Sequence, residues 1–108
     1  MQAQPLAFFH FRVRLYHRGR MFRAYLLSLN ESQALFALNS QEYLQVDPEK
    51  SIRGSVDSKH GPELEFHGAV ERKEGLQIRG QYFYTVAVRF LDRLDLSDRL
   101  LATTLSLD

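Results

Sequence analysis

With 108 residues and a mass of 12.6 kDa, the chain has room for one domain, 1–108, built round one core. It has no cysteine, which excludes disulfides, thiolate zinc sites, iron–sulfur clusters and thiol nucleophiles, and its 44% apolar and 25% charged content excludes a disordered or fibrous chain. The formal charge of +1 hides a segregation: residues 1–30 carry Arg12, Arg14, Arg18, Arg20 and Arg23 with no Asp or Glu, while the remainder holds nine basic and thirteen acidic groups.

In chain order, Phe9, Phe11, Val13 and Leu15 alternate with His10, Arg12, Arg14 and Tyr16, the period-two pattern of a half-buried strand with one basic face. His17-Arg18-Gly19-Arg20 supplies a glycine-containing turn, and Phe22 to Leu29 completes a hairpin. The polar side chains of Asn30 to Gln33 compete for backbone hydrogen bonds and predict a turn before a third strand, Ala34 to Leu38. The stretch Asn39 to Gln45 fits a loop or a helical turn at Glu42-Tyr43-Leu44. Asp47-Pro48-Glu49 then punctuates the chain before a fourth strand, Ser51 to Val56.

Asp57 to Pro62 has a loop composition and leads into the alternating strand Leu64 to Val70. Arg72 to Gly75 reads as a charged turn, followed by a long β-type run, Leu76 to Leu91, bent near Gly80. From Tyr82 onward both faces of that run hold apolar groups, the signature of a strand covered on both sides. Leu94 to Leu105 drops the alternation and predicts a short C-terminal helix, capped by Asp95 or Ser97, that covers an open end. The expected fold is mainly β: an antiparallel barrel of six or seven strands, or a sandwich, with one short C-terminal helix.

No apolar run reaches the roughly 18 to 20 residues of a membrane span, and Pro5 to Phe9 is too short for a signal-peptide core, so the reading is cytoplasmic. His10, His17, His60 and His67 fall in pairs seven apart, a spacing that aims no two imidazoles at one ion; His10 and His67 belong on polar strand faces and His17 and His60 in turns. Glu63 and Glu65 share a strand face, the usual state of a solvated edge, and no serine sits in a nucleophile elbow or phosphate loop. Nothing here points to an enzyme or a metal site. The arginine block fits either a solvated face or recognition of an anion by planar guanidiniums. A basic strand interleaved with aromatics also fits single-stranded nucleic acid in composition, while the near-neutral total charge argues against it.

The order of elements carries a resemblance. A basic first strand, the hairpin into Tyr25-Leu26-Leu27-Ser28-Leu29-Asn30-Glu31-Ser32-Gln33-Ala34-Leu35-Phe36-Ala37-Leu38, then Leu64-Glu65-Phe66-His67-Gly68-Ala69-Val70, Thr85-Val86-Ala87-Val88-Arg89-Phe90 and a short helix resemble the PilZ family, six-stranded barrels with a C-terminal helix that serve as bacterial cyclic di-GMP receptors. In that family an (Asp/Asn)-x-Ser-x-x-Gly motif follows the second strand; Asn30 and Ser32 match its first positions, and Leu35 stands where the glycine belongs. Its Arg-x-x-x-Arg motif precedes the first strand, where residues 1–8 hold no arginine; Arg14 and Arg18 match the spacing across a strand end and a turn, and Arg12 lies nearest the family's position. The resemblance therefore implies a degenerate domain acting as an adaptor for a protein partner in a cyclic di-GMP-linked pathway, with weak or absent nucleotide binding. The alternatives are a genuine receptor using Arg12, Arg14, Arg18, Asn30 and Ser32, and a barrel that binds single-stranded nucleic acid. A homodimer is compatible with the apolar terminal helix and basic hairpin, although no heptad or GxxxG pattern specifies one.

Overall fold

The computed structural model describes residues 12–57, 63–78 and 80–94. Six strands form a closed antiparallel barrel: β1 (Arg12–His17), β2 (Arg20–Leu29), β3 (Gln33–Leu38), β4 (Ser51–Asp57), β5 (Leu64–Ile78) and β6 (Gln81–Phe90). The ring runs β1-β2-β3-β6-β5-β4 and closes by pairing of β1 with β4. It is two three-stranded meanders joined along two seams, β3 with β6 and β1 with β4.

The alternation in β1 does what its pattern requires: Val13 and Leu15 are buried while Arg12 and Arg14 are exposed. The turn into β2 holds Arg18 at φ 53 and Gly19 at φ 79. Two successive positive φ values match the right-handed twist of the flanking strands, and glycine meets the second without steric cost. In β2, a register shift between Leu26 and Ser28 inserts Leu27 as an extra residue and resets the alternation, so Leu26 and Leu29 both face the barrel interior while Leu27 lies outside. The interior is filled by aliphatic side chains and by Phe36, Phe66 and Phe90, whose rings succeed one another at 5.5 and 5.2 Å between centroids. Full burial of a side chain such as Phe36 contributes about 1.5 to 3 kcal/mol. A second, smaller apolar cluster, Leu27, Ala37 and Phe83 with Leu35 and Leu76, lies on the outer side of β2, β3, β6 and β5. As the two-sided pattern implies, β6 is buried without interruption from Thr85 to Val88.

Two expectations are corrected. Arg72 to Gly75 is not a turn: β5 continues through it to Ile78, with a bulge at Glu71 between Val70 and Arg72, and the reversal comes at Gly80, where φ is 81. Here β5 pairs with β6 alone, so its polar composition is that of a strand edge facing water. His17 does not sit in the turn; it ends β1 with its side chain buried. The stretch left open between loop and helix is helical, α1 (Ser40–Gln45), with Asn39 Oδ1 accepting the Glu42 amide at 2.8 Å as its N-cap. Tyr43 packs on the core and Val46 is buried in it, so α1 covers the barrel end that carries the β1–β2 turn. The expected C-terminal helix, apart from Leu94, lies outside the described residues, as do the loop 58–62 and the start of the first strand, 9–11. No helix among the described residues is long and apolar enough to cross a membrane.

Candidate functional site

The outward side chains of β1 and β2 form one basic face. Register sets Arg12 opposite Tyr25 and Arg14 opposite Arg23. Directly opposed side chains on a sheet have Cβ atoms about 4.5 to 5.5 Å apart, so Arg14 and Arg23 stand as like charges at a distance that is unfavourable without a counter-ion. A cleft of about 750 Å³ opens over this face; Arg12, Arg14, Arg23 and Tyr25 line it from the hairpin, together with Glu42 of α1 and Asp57 of β4, which stands opposite Arg12 in the register.

A second cleft of about 740 Å³ lies over β1, β4 and β5. Within it Arg14 Nη2 donates to Glu63 Oε2 at 3.2 Å, and the Arg53 guanidinium lies 4.9 Å from the centre of the Tyr16 ring. Glu65 and His67 also line it, on the strand face that alternation assigns to them. The Arg14 pair is solvent-exposed and contributes at most about 1 kcal/mol. Among the described residues no three His, Asp or Glu side chains gather in a group that could hold a metal ion.

The residues named from sequence separate into three places. Arg18 lies at the β1–β2 turn and is bonded to Asp47; Asn30 and Ser32 lie in the β2–β3 turn at the far end of β2. Ten strand residues at about 3.3 Å each put these turns roughly 30 Å apart. Arg14 is level with Arg23, and Arg12 is level with Tyr25, roughly 17 Å along the strand from Asn30. Arg12 and Arg14 are thus brought together, while Arg18 and the Asn30–Ser32 pair are each kept elsewhere.

The β2–β3 turn is occupied with its own structure. Asn30 Oδ1 accepts the amides of Ser32 at 2.8 Å and Gln33 at 2.9 Å, an Asx turn, and Glu31 is bonded to Arg93. Leu35, where a glycine would complete the motif, is mid-strand opposite Ala87 and packs in the outer apolar cluster. A side chain is needed there for packing, and no tight turn follows.

Beside Arg18, His17 makes a buried junction. The Asp47 amide donates to Nε2 at 3.0 Å, so Nε2 carries no hydrogen, and Nδ1 donates to the Ser51 carbonyl at 3.0 Å. One neutral imidazole ties the end of β1 to the α1–β4 connection and to the start of β4. The hydrogen bond from Arg18 holds the Asp47 carboxyl below its ordinary value against the opposing effect of desolvation, and the charges of Arg18 and Lys50 add to the lowering. A carboxyl depressed in the folded state stabilises the fold above its unfolded pKa, and that contribution is lost as the pH falls through the folded value. In Arg18→Asn, which keeps a residue tolerant of positive φ, the Asp47 titration followed by carboxyl NMR is expected to move up toward the ordinary range, and the acid limb of the stability curve to flatten. An unchanged Asp47 titration would show that Arg18 is not the cause.

Sequence reasoning singled out neither Arg23 as a site residue nor His17 as a junction. Arg23 was within reach of the same alternation that placed Arg12 and Arg14, once β2 is paired with β1. His17 carries no such signal, because its partners are a backbone amide and a carbonyl some 30 residues away. Comparison with family models, with curated proteins and with solved structures gives no match to this chain.

Proposed function

We propose that the chain is a non-enzymatic, PilZ-like signalling barrel that acts in the bacterial cytoplasm as an adaptor, docking a protein partner in a cyclic di-GMP-linked pathway and binding the nucleotide weakly or not at all. The observation that carries the adaptor reading is the separation of the motif residues. A receptor needs guanidiniums and the Asn-x-Ser turn round one guanine and its phosphates. Here the length of β2 keeps Arg14 and Arg18 from Asn30 and Ser32, Glu63 and Asp47 already engage those two guanidiniums, and the Asn30 carbonyl is spent on its own turn. The six-stranded antiparallel ring supports the resemblance at the level of architecture.

Calorimetric titration with cyclic di-GMP tests the reading. The expected result is no saturable heat below high-micromolar nucleotide. A sub-micromolar dissociation constant that is lost on substitution of Arg12 would overturn it in favour of a receptor.

A further inference from the structure

A third cleft, of about 370 Å³, opens at the barrel end that carries the β1–β2 turn, and among the described residues no carboxylate lines it. One wall is a lateral row on the outer sheet face, because register sets Arg53 of β4 between Tyr16 of β1 and His67 of β5. The other is the turn itself, Arg18 to Arg20, with Ser51 at the start of β4. Hydrogen-bond donors here are unspent. Arg53 is held over the Tyr16 ring by a cation–π contact that uses none of its N–H groups, and neither it nor the His67 ring has a hydrogen-bond partner among the described residues. Arg20 donates to a neutral amide oxygen, that of Gln45, so its charge stays uncompensated. Gly19 adds a backbone amide that donates to no described group, and nothing lies within 4 Å of where its Cβ would stand.

We infer that this cleft binds a doubly charged phosphate group, free or carried as a monoester on a small molecule, with Arg20 and Arg53 as its principal donors. The inference is independent of the adaptor reading. Charge selects the ligand. Asp47 cancels Arg18, to which it is bonded, Glu49 and Lys50 just before Ser51 cancel each other, and Glu71 is paired with Arg89. Glu65 stands on the far side of the Arg53–His67 row, opposite Ser55, and makes no ion pair with Arg53. The guanidinium charges of Arg20 and Arg53 are thus left over, and they match the charge of about −2 on a phosphate monoester, whose three terminal oxygens accept from several N–H groups at once. A carboxylate or a phosphodiester brings one negative charge and leaves one guanidinium uncompensated. The volume lies at the lower end of the roughly 300 to 1,000 Å³ of small-molecule pockets, which suits a phosphate on a small carrier. Because Tyr16 already fixes Arg53, less side-chain freedom is lost when the anion arrives.

The test is an NMR titration of the full chain at constant ionic strength with inorganic phosphate, phenyl phosphate and cyclic di-GMP, read on the Gly19 amide and the arginine Nε–Hε resonances. Phosphate and phenyl phosphate are expected to shift Gly19, Arg20 and Arg53 saturably while Arg89 and Arg93 stay in place. Tighter binding of phenyl phosphate identifies an esterified ligand, and equal binding identifies free phosphate. The double variant Arg20→Gln, Arg53→Gln is expected to weaken phenyl phosphate about tenfold, the scale of lost charge-assisted hydrogen bonds, with its remaining amide spectrum unchanged. Arg20→Lys, Arg53→Lys is expected to keep part of the affinity, since an ammonium retains the charge and loses the fork. Shifts spread evenly over all arginines, unchanged affinity in the double variant, or tighter binding of cyclic di-GMP at these same resonances would overturn the inference. The adaptor reading itself falls only on the nucleotide calorimetry, so a silent phosphate beside a silent nucleotide rejects this cleft and leaves that reading standing.

Discussion

Replacing Gly68 by alanine is expected to cost about 3 kcal/mol or more, enough to leave much of a small domain unfolded at ambient temperature. Gly68 lies on the buried face of β5, paired with Ile52 of β4 and Phe90 of β6. A methyl group there would overlap the Arg89 carbonyl oxygen and lie 2.9 Å from the Arg89 carbonyl carbon and 3.1 Å from Phe90 Cα. These are backbone atoms held in the β5–β6 ladder, so they cannot swing aside as a side chain would. The barrel must part locally to admit the methyl. Gly19→Ala is the control: its φ of 79 is strained for alanine, yet no atom lies within 4 Å, and a loss of about 1 to 2 kcal/mol is expected. Urea denaturation of both variants checks the contrast, and a loss at Gly68 no larger than at Gly19 would show that the ladder accommodates the methyl and that close approach does not govern the site.

His17→Phe is expected to lose about 2 to 4 kcal/mol. Phenylalanine fills the same buried space beside Phe22, whose ring centre lies 6.5 Å from the imidazole, but leaves the Asp47 amide and the Ser51 carbonyl without their bonds. Each unmet buried polar group costs about 1 to 3 kcal/mol, partly recovered where the α1–β4 connection can turn its amide to water. Chemical denaturation measures the loss, and a value under about 0.5 kcal/mol, the usual range of surface substitutions, would mean that the junction is dispensable. Long-range nitrogen NMR of the wild-type ring offers an independent check. The hydrogen is expected on Nδ1; a hydrogen on Nε2 would rule out the Asp47 bond, because a backbone amide nitrogen cannot accept.

Most of the barrel was legible because its strands carry one apolar and one polar face. Val13 and Leu15 against Arg12 and Arg14, or Phe66 against Glu65 and His67, state both the strand and its direction of burial. The Arg18-Gly19 turn was legible for a different reason, its glycine. The segment Arg72 to Gly75 misled because a strand edge in water and a turn draw on the same polar residues; only the pairing with β6 tells them apart. The bulges at Leu27 and Glu71 were illegible, since an extra residue in one strand is defined by its neighbour's register. The candidate site was half legible. Period-two alternation places Arg12 and Arg14 on one face, but which arginines lack a counter-charge depends on Glu63 and Asp47, partners brought in from 49 and 29 residues away.

The bulge at Glu71 has a consequence for how molecules of this protein meet. Most of the ring offers no free strand; the end of the β5–β6 hairpin, Arg72 to Ile78 with Gln81 to Phe83, leaves it, and on its β5 side a foreign strand could add. That approach is guarded: the bulge twists the edge, Arg72 and Glu74 hold charge on it, and Lys73 turns its ammonium back to the Val46 carbonyl at 2.8 Å and over the Tyr43 ring. On its β5 edge the fold thus discourages polymerisation through backbone pairing.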